Sequence, residues 1–246
     1  MSTIVNGIRN VCRVSLLIAA VPAMAQVNLI QNGDFATGNL SDWTVLLTSN
    51  GSLGLGLPDV VPFDVTGSGT ASDAAQFQAG VVRLGVPGSL AQQGGGIDQT
   101  FDCSAGSYSF SADIAAKNSG LVGNADAGLF TLLVDGTPSD SLNLGPIDAA
   151  EILRNTLEAT VYLSQGSHQL SIEITRPLPA GGGVEPVNAT PPFQYLDKVQ
   201  AEAVPEQTSL GWLSFGVIFV CWRTKVPKRS AKKIAESTCV PGDAEA

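Results

Sequence analysis

At 246 residues the chain has room for one large or two small domains. Its 44% hydrophobic and 14% charged residues, with a formal net charge of −9, exclude both a disordered polyelectrolyte and a polytopic membrane protein. With 13 Lys and Arg against 22 Asp and Glu, and no basic stripe in the central region, composition argues against nucleic acid as a partner; a single histidine leaves little material for histidine-based metal sites or Ser-His-Asp chemistry.

Residues 1–25 read as an export signal. Arg9 and Arg13 form a basic start, Val14 to Val21 an apolar core, and Ala23-Met24-Ala25 places small residues ahead of a cleavage site before Gln26. A helix of that core's length spans only about 12 Å of a roughly 30 Å hydrocarbon layer, so cleavage fits better than membrane anchoring.

From Gln26 to Ala203, short alternating stretches are separated by Gly, Asn, Asp and Pro clusters. Ser107 to Asp113 sets Tyr108, Phe110 and Ala112 on one face, and Gly128 to Asp135 groups Phe130, Leu132 and Val134 before Asp135-Gly136, a tight-hairpin signal. Asp148 to Thr156 is the one helix-like window, too short to organise a domain. Ala159 to Gln165 and Gln169 to Thr175 alternate again around a turn at Gly166-Ser167-His168. The rhythm predicts an all-β chain, with one antiparallel jelly-roll β-sandwich over residues 26–203.

Leu210 to Trp222 carries no charge and is followed by Arg223, Lys225, Lys228, Arg229, Lys232 and Lys233, which by the positive-inside rule places the tail in the cytoplasm and the middle of the chain outside. As a helix the apolar segment is about 20 Å long, short for a permanent span, so a transient or processed membrane helix is expected. Residues 204–229 form this sorting or anchor segment, and the tail at 230–246 is expected to be disordered. Residues 26–206 carry a net charge of −14 and residues 207–246 one of +3, so the ectodomain is acidic and suited to collecting divalent cations.

Val204-Pro205-Glu206, the short apolar segment and the basic cluster that includes Arg223 and Lys225 together resemble the PEP-CTERM sorting signal of Gram-negative bacteria. The resemblance implies an exosortase as sorting partner, transient passage through the inner membrane, and a surface or extracellular-matrix protein of a bacterium that makes exopolysaccharide. Gln207 stands where that family has a second proline, and a longer tail follows Arg229. At the mature N-terminus, Asn28 to Phe35 (NLIQNGDF) with Gly38 and Trp43 resembles the opening of galactose-binding-like jelly rolls, the group that includes many carbohydrate-binding modules; Phe193 to Ala203 resembles their closing strand.

Along that closing stretch Phe193, Tyr195, Asp197, Val199 and Ala201 share one face by period-two alternation, which points the Asp197 carboxylate inward. A buried carboxylate needs either a cation or several hydrogen bonds. The family resemblance implies structural calcium at this aspartate, although Lys198 replaces the family's second Asp. Trp43 is expected in the core, and Cys103, lone once signal and tail are removed, in the core or in an intermolecular pair. Tyr162, with Thr160, Ser164, Ser171 and Glu173, is expected to form one outward face able to hold polysaccharide weakly. His168 has no acidic neighbour in sequence, and no catalytic residues stand out. The leading expectation is therefore a non-enzymatic surface protein; the alternatives are a surface glycoside or polysaccharide hydrolase on the same fold and a structural matrix component with no glycan ligand.

Overall fold

Alternation of large apolar and small polar side chains, broken by glycine and asparagine, produces long strands joined by short corners. The computed structural model describes residues 27–83, 91–180 and 190–205, and among these there is no helix. The strands are β1 (Thr44–Leu47), β2 (Gly51–Ser52), β3 (Asp59–Phe63), β4 (Ser72–Phe77), β5 (Gly80–Val81), β6 (Gln93–Cys103), β7 (Gly106–Lys117), β8 (Leu129–Val134), β9 (Thr137–Asn143), β10 (Ile152–Leu163), β11 (Gly166–Arg176) and β12 (Phe193–Ala203).

Two five-stranded antiparallel sheets form the sandwich, the first in the order β1-β6-β11-β8-β9 and the second in the order β10-β7-β12-β4-β3; β2 and β5 make a small separate ribbon. Apart from the β8–β9 hairpin and the β3–β4 pair, the connections among the long strands carry the chain from one sheet to the other, the winding expected of a jelly roll. Their inner faces meet in one core. Ile97, Phe101, Phe130, Leu132, Leu170, Ile172 and Ile174 come from the first sheet, and Phe110, Ile114, Leu157, Leu196, Val199 and Phe77 from the second. Each such fully buried side chain contributes roughly 1.5–3 kcal/mol through its removal from water.

The Asp135-Gly136 signal is realised as the two-residue turn of the β8–β9 hairpin, with both residues at positive φ (52° and 72°). The helix-like window is corrected. Residues 148–151 form a turn with Ala150 at φ 59°, and from Ile152 the chain is an edge strand paired with β7 along its whole length. Nonlocal pairing overrides a local helical preference that is too short to nucleate.

The opening segment is stitched to the closing strand. The Asn28 side chain donates to the Val199 carbonyl (3.1 Å) and accepts from the Ala201 amide (2.9 Å), and the Val199 amide donates to the Gly33 carbonyl (2.8 Å). A Cβ at Gly33 would run into the Val199 carbonyl oxygen, so the Asn-Gly-Asp sequence tolerates only glycine at its centre. Trp43 is buried, stacks on Phe35 and donates from Nε1 to the Asn32 carbonyl (3.0 Å). The export segment, Glu206, Arg223, Lys225 and the apolar and basic tail lie outside the described residues, and no helix among the described ones is long and apolar enough to cross a membrane.

Candidate ligand-binding face

The outer face of the first sheet is built from alternate residues of its strands. Thr44 pairs with Asp98, Asp98 with Ser171, and Ser171 with Leu133; in the next row Leu46, Gly96, Glu173, Thr131 and Ser141 stand side by side. A Cβ at Gly94 or Gly96 would run into the Ile174 or Ile172 carbonyl oxygen, so these positions keep bare backbone beside β11. Ser171 and Thr175 point away from the core yet are only 8% and 6% exposed. The middle of this face is thus made of small buried residues, Gly94, Gly96, Ser171 and Thr175.

Glu173 stands at its centre, half-buried, with no hydrogen-bond or ion-pair partner among the described residues; burial pushes its carboxyl above the usual carboxylate range. Asp98, one row away on the adjacent strand, is likewise without a partner there. Among the described residues the face carries Asp98, Asp102 and Glu173 and no Lys or Arg, whereas Lys117, Arg154 and Lys198 lie on the outer side of the second sheet.

The expected single face of Tyr162, Thr160, Ser164, Ser171 and Glu173 is corrected, because β10 and β11 are consecutive in sequence but belong to different sheets. Gly166, at φ 146°, turns the chain from one sheet to the other. Thr160 and Tyr162 therefore lie on the outer side of the second sheet opposite Ser109 and Ser107, with Tyr162 72% exposed, while Ser171 and Glu173 face the other way across the sandwich. Ser164 sits in the corner itself, where its carbonyl accepts from His168 Nε2 (2.9 Å).

Asp197 is fully buried, but not on the face that alternation gives it. A bulge lies between Asp197 and Gln200, where Lys198 takes φ 50°, and it inserts one extra residue opposite β7. Leu196 on one side of the bulge and Val199 and Ala201 on the other enter the main core, whereas Tyr195 packs in a smaller cluster with Val65, Ala74 and Ala115. Phe193, Tyr195 and Asp197 therefore lie on the outer side of the second sheet, under Phe63, whose ring stacks on Tyr195 with centroids 3.7 Å apart. Asp197 Oδ2 accepts from Ser72 Oγ (2.6 Å) and Oδ1 from the Lys198 amide (2.7 Å). Burial pushes its carboxyl up against these hydrogen bonds.

Two polar groups escape sequence reasoning. Arg176 is fully buried; its Nε donates to the Asp126 carbonyl (2.7 Å) and an Nη to Asn124 Oδ1 (2.7 Å), and burial lowers its pKa to about 10. Its inward direction was available from the series Leu170, Ile172, Ile174, Arg176. Asp126 is buried beside it, and desolvation raises its carboxyl. His168 finds its acid across space rather than in sequence: Nδ1 lies 2.7 Å from Asp135 Oδ2. With Nε2 on the Ser164 carbonyl, both ring nitrogens are committed to structural acceptors, leaving neither free as a general base.

Cys103 is free and partly buried, its thiol pushed up by desolvation. Among the described residues no group of three or more His, Cys, Asp or Glu converges as a metal site. A cleft of about 430 Å³ opens at the loop end beside Leu55, Val81, Val82 and Pro179 and is mainly apolar.

No protein-family model matches the chain, and no curated protein matches it. Among solved structures it is similar to a family 61 carbohydrate-binding module in complex with β-1,4-galactotriose, at 12% identity and a TM-score of 0.41 over 72% of this chain and 99% of the other. It is also similar to the CBM22-1 xylan-binding domain of Paenibacillus barcinonensis Xyn10C (15% identity, TM-score 0.38, 74% of this chain, 97% of the other). A family 35 carbohydrate-binding module from Clostridium thermocellum is a third (15% identity, TM-score 0.32, 68% and 95%). All three scores lie below 0.5.

Proposed function

We propose that the chain is an exported, non-enzymatic β-sandwich of the cell surface or extracellular matrix that binds polysaccharide weakly across the outer face of its first sheet. The observation that carries this reading is Glu173: a half-buried carboxylate without a partner among the described residues, on a face where Gly94 and Gly96 leave bare backbone beside it. A desolvated acceptor of this kind gains from a ligand hydroxyl or amine, and Asp98, Ser171, Thr131 and Ser141 supply further polar groups in adjacent rows. Glycine at 94 and 96 puts no side chain between a flat sugar chain and this part of the sheet. Affinity is weak because no aromatic ring lies on this face among the described residues, and stacking on aromatic faces supplies much of sugar binding. With Asp98, Asp102 and Glu173 and no base among the described residues, the face suits a neutral or cationic polymer.

In this reading the export signal at 1–25 is removed, and the segment from Val204 onward is handled by an exosortase while the chain passes the inner membrane of a Gram-negative bacterium. Exopolysaccharide is the partner. Affinity electrophoresis of the ectodomain in gels containing a panel of neutral, cationic and anionic polysaccharides tests the binding. Retardation by at least one polymer, lost in Glu173→Gln and kept in Tyr162→Ala, is the expected result. Retardation lost in Tyr162→Ala and kept in Glu173→Gln moves the site to the second sheet. Release of reducing ends from the bound polymer would replace the binding role by the hydrolase.

A further inference from the structure

Asp197 and Asp113 lie opposite one another on β12 and β7, so two carboxylates share one row of the second sheet's outer side. Such a pair needs positive charge nearby, and the resemblance of the closing strand implies calcium as its source. The donor set does not fit a calcium ion. Calcium takes six to eight oxygen ligands at about 2.3–2.6 Å, drawn from carboxylates and carbonyls with lone pairs to spare. Here the closing strand offers only the Asp113 and Asp197 carboxylates, no third acid converges on them among the described residues, and each Asp197 oxygen already accepts one hydrogen bond, from the Ser72 hydroxyl or the Lys198 amide. Asp113 Oδ1 accepts from Thr156 Oγ1 (2.9 Å), and Asp113 Oδ2 lies 3.6 Å from Lys198 Nζ.

The same residue makes both arrangements. At φ 50°, Lys198 forms the bulge that turns its own amide onto the Asp197 carboxylate, and its side chain then lies along the sheet to the Asp113 carboxylate. A divalent ion approaching the pair would meet this ammonium already in place and be repelled by it.

We infer that Lys198 is the built-in counter-ion of the Asp113–Asp197 pair, and that the β-sandwich reaches its full stability without a divalent cation at the closing strand. The inference concerns the scaffold and stands or falls separately from the polysaccharide reading. Thermal unfolding of the ectodomain in EDTA, in saturating calcium and in saturating magnesium reads it directly. The wild-type midpoint is expected to be the same in all three; a midpoint that falls in EDTA and is restored by calcium overturns the inference.

Substitutions test the counter-ion role itself. Lys198→Asn keeps a residue that tolerates the left-handed backbone and removes the charge, so its midpoint falls. Lys198→Arg restores the charge and recovers most of the loss. Adding Asp113→Asn to Lys198→Asn removes the carboxylate left unpaired and raises the midpoint again. An Asn substitution as stable as wild type, or a double variant less stable than the single one, contradicts the assignment.

Discussion

His168 and Asp135 pin two corners of the sandwich together. Nδ1 of His168, at the start of β11, lies 2.7 Å from Oδ2 of Asp135 in the β8–β9 turn, and Nε2 lies 2.9 Å from the Ser164 carbonyl at the β10–β11 corner. Since a carboxylate and a carbonyl both only accept, the doubly protonated ring is the form that satisfies both contacts. The bond to Asp135 is the main cause that holds the His168 pKa above its ordinary value, aided by the Ser164 carbonyl, while the same bond holds Asp135 below the usual carboxylate range. Asp102 adds to the effect on His168, and Cys103 and Tyr108 are the other titratable groups at this corner.

A histidine whose folded pKa is raised contributes stability that is complete below its unfolded value of about 6.5 and is lost as pH rises through the higher folded value. The unfolding free energy from urea titration is therefore expected to fall between pH 6 and a mildly alkaline pH, by about 1 kcal/mol or less because the Asp135 carboxylate is half exposed, with the urea midpoint falling alongside it. His168→Gln should flatten that slope. A midpoint that rises over this range, or an unchanged slope in the variant, contradicts the pairing.

Arg176 is a costly side chain to truncate. Arg176→Ala leaves the Asp126 and Ala79 carbonyls and Asn124 Oδ1 without their buried donor, and should cost about 3 kcal/mol or more in chemical denaturation. Exposed Arg154, whose Nε donates to the Asp64 carbonyl (3.2 Å), is the control, and Arg154→Ala should cost less than about 1 kcal/mol.

Sorting is tested at the other end of the chain. Mass spectrometry of the protein recovered from the surface of its native host should find an N-terminus at Gln26 and a C-terminus close to Pro205-Glu206. Recovery of intact Ala246 in that fraction contradicts removal of the tail.

Much of the scaffold is legible in sequence because alternation is a local property. Phe130, Leu132 and Val134 declare their shared face within one strand, and Asp135-Gly136 declares its own turn. Pairing partners are not local. Nothing in residues 159–175 says that Tyr162 and Glu173, eleven positions apart, end up on opposite sides of the sandwich, since that depends on a corner at Gly166 which changes sheets instead of closing a hairpin. Asp197 shows the same limit more sharply. Its burial follows from the apolar strand around it, but one inserted residue at Lys198 reverses the parity, and a bulge leaves no signature in a period-two pattern. That Glu173 has no partner among the described residues is likewise invisible until its neighbours on β6 and β8 are known to be glycine and threonine.

The most direct test of the central claim is a two-dimensional amide NMR titration of the ectodomain with the polysaccharide that retards it most. The account predicts that shifts concentrate at Gly96, Asp98, Thr131, Ser171 and Glu173, across three adjacent strands of the first sheet. Shifts confined to Ser107, Ser109, Thr160 and Tyr162 on the second sheet would contradict it.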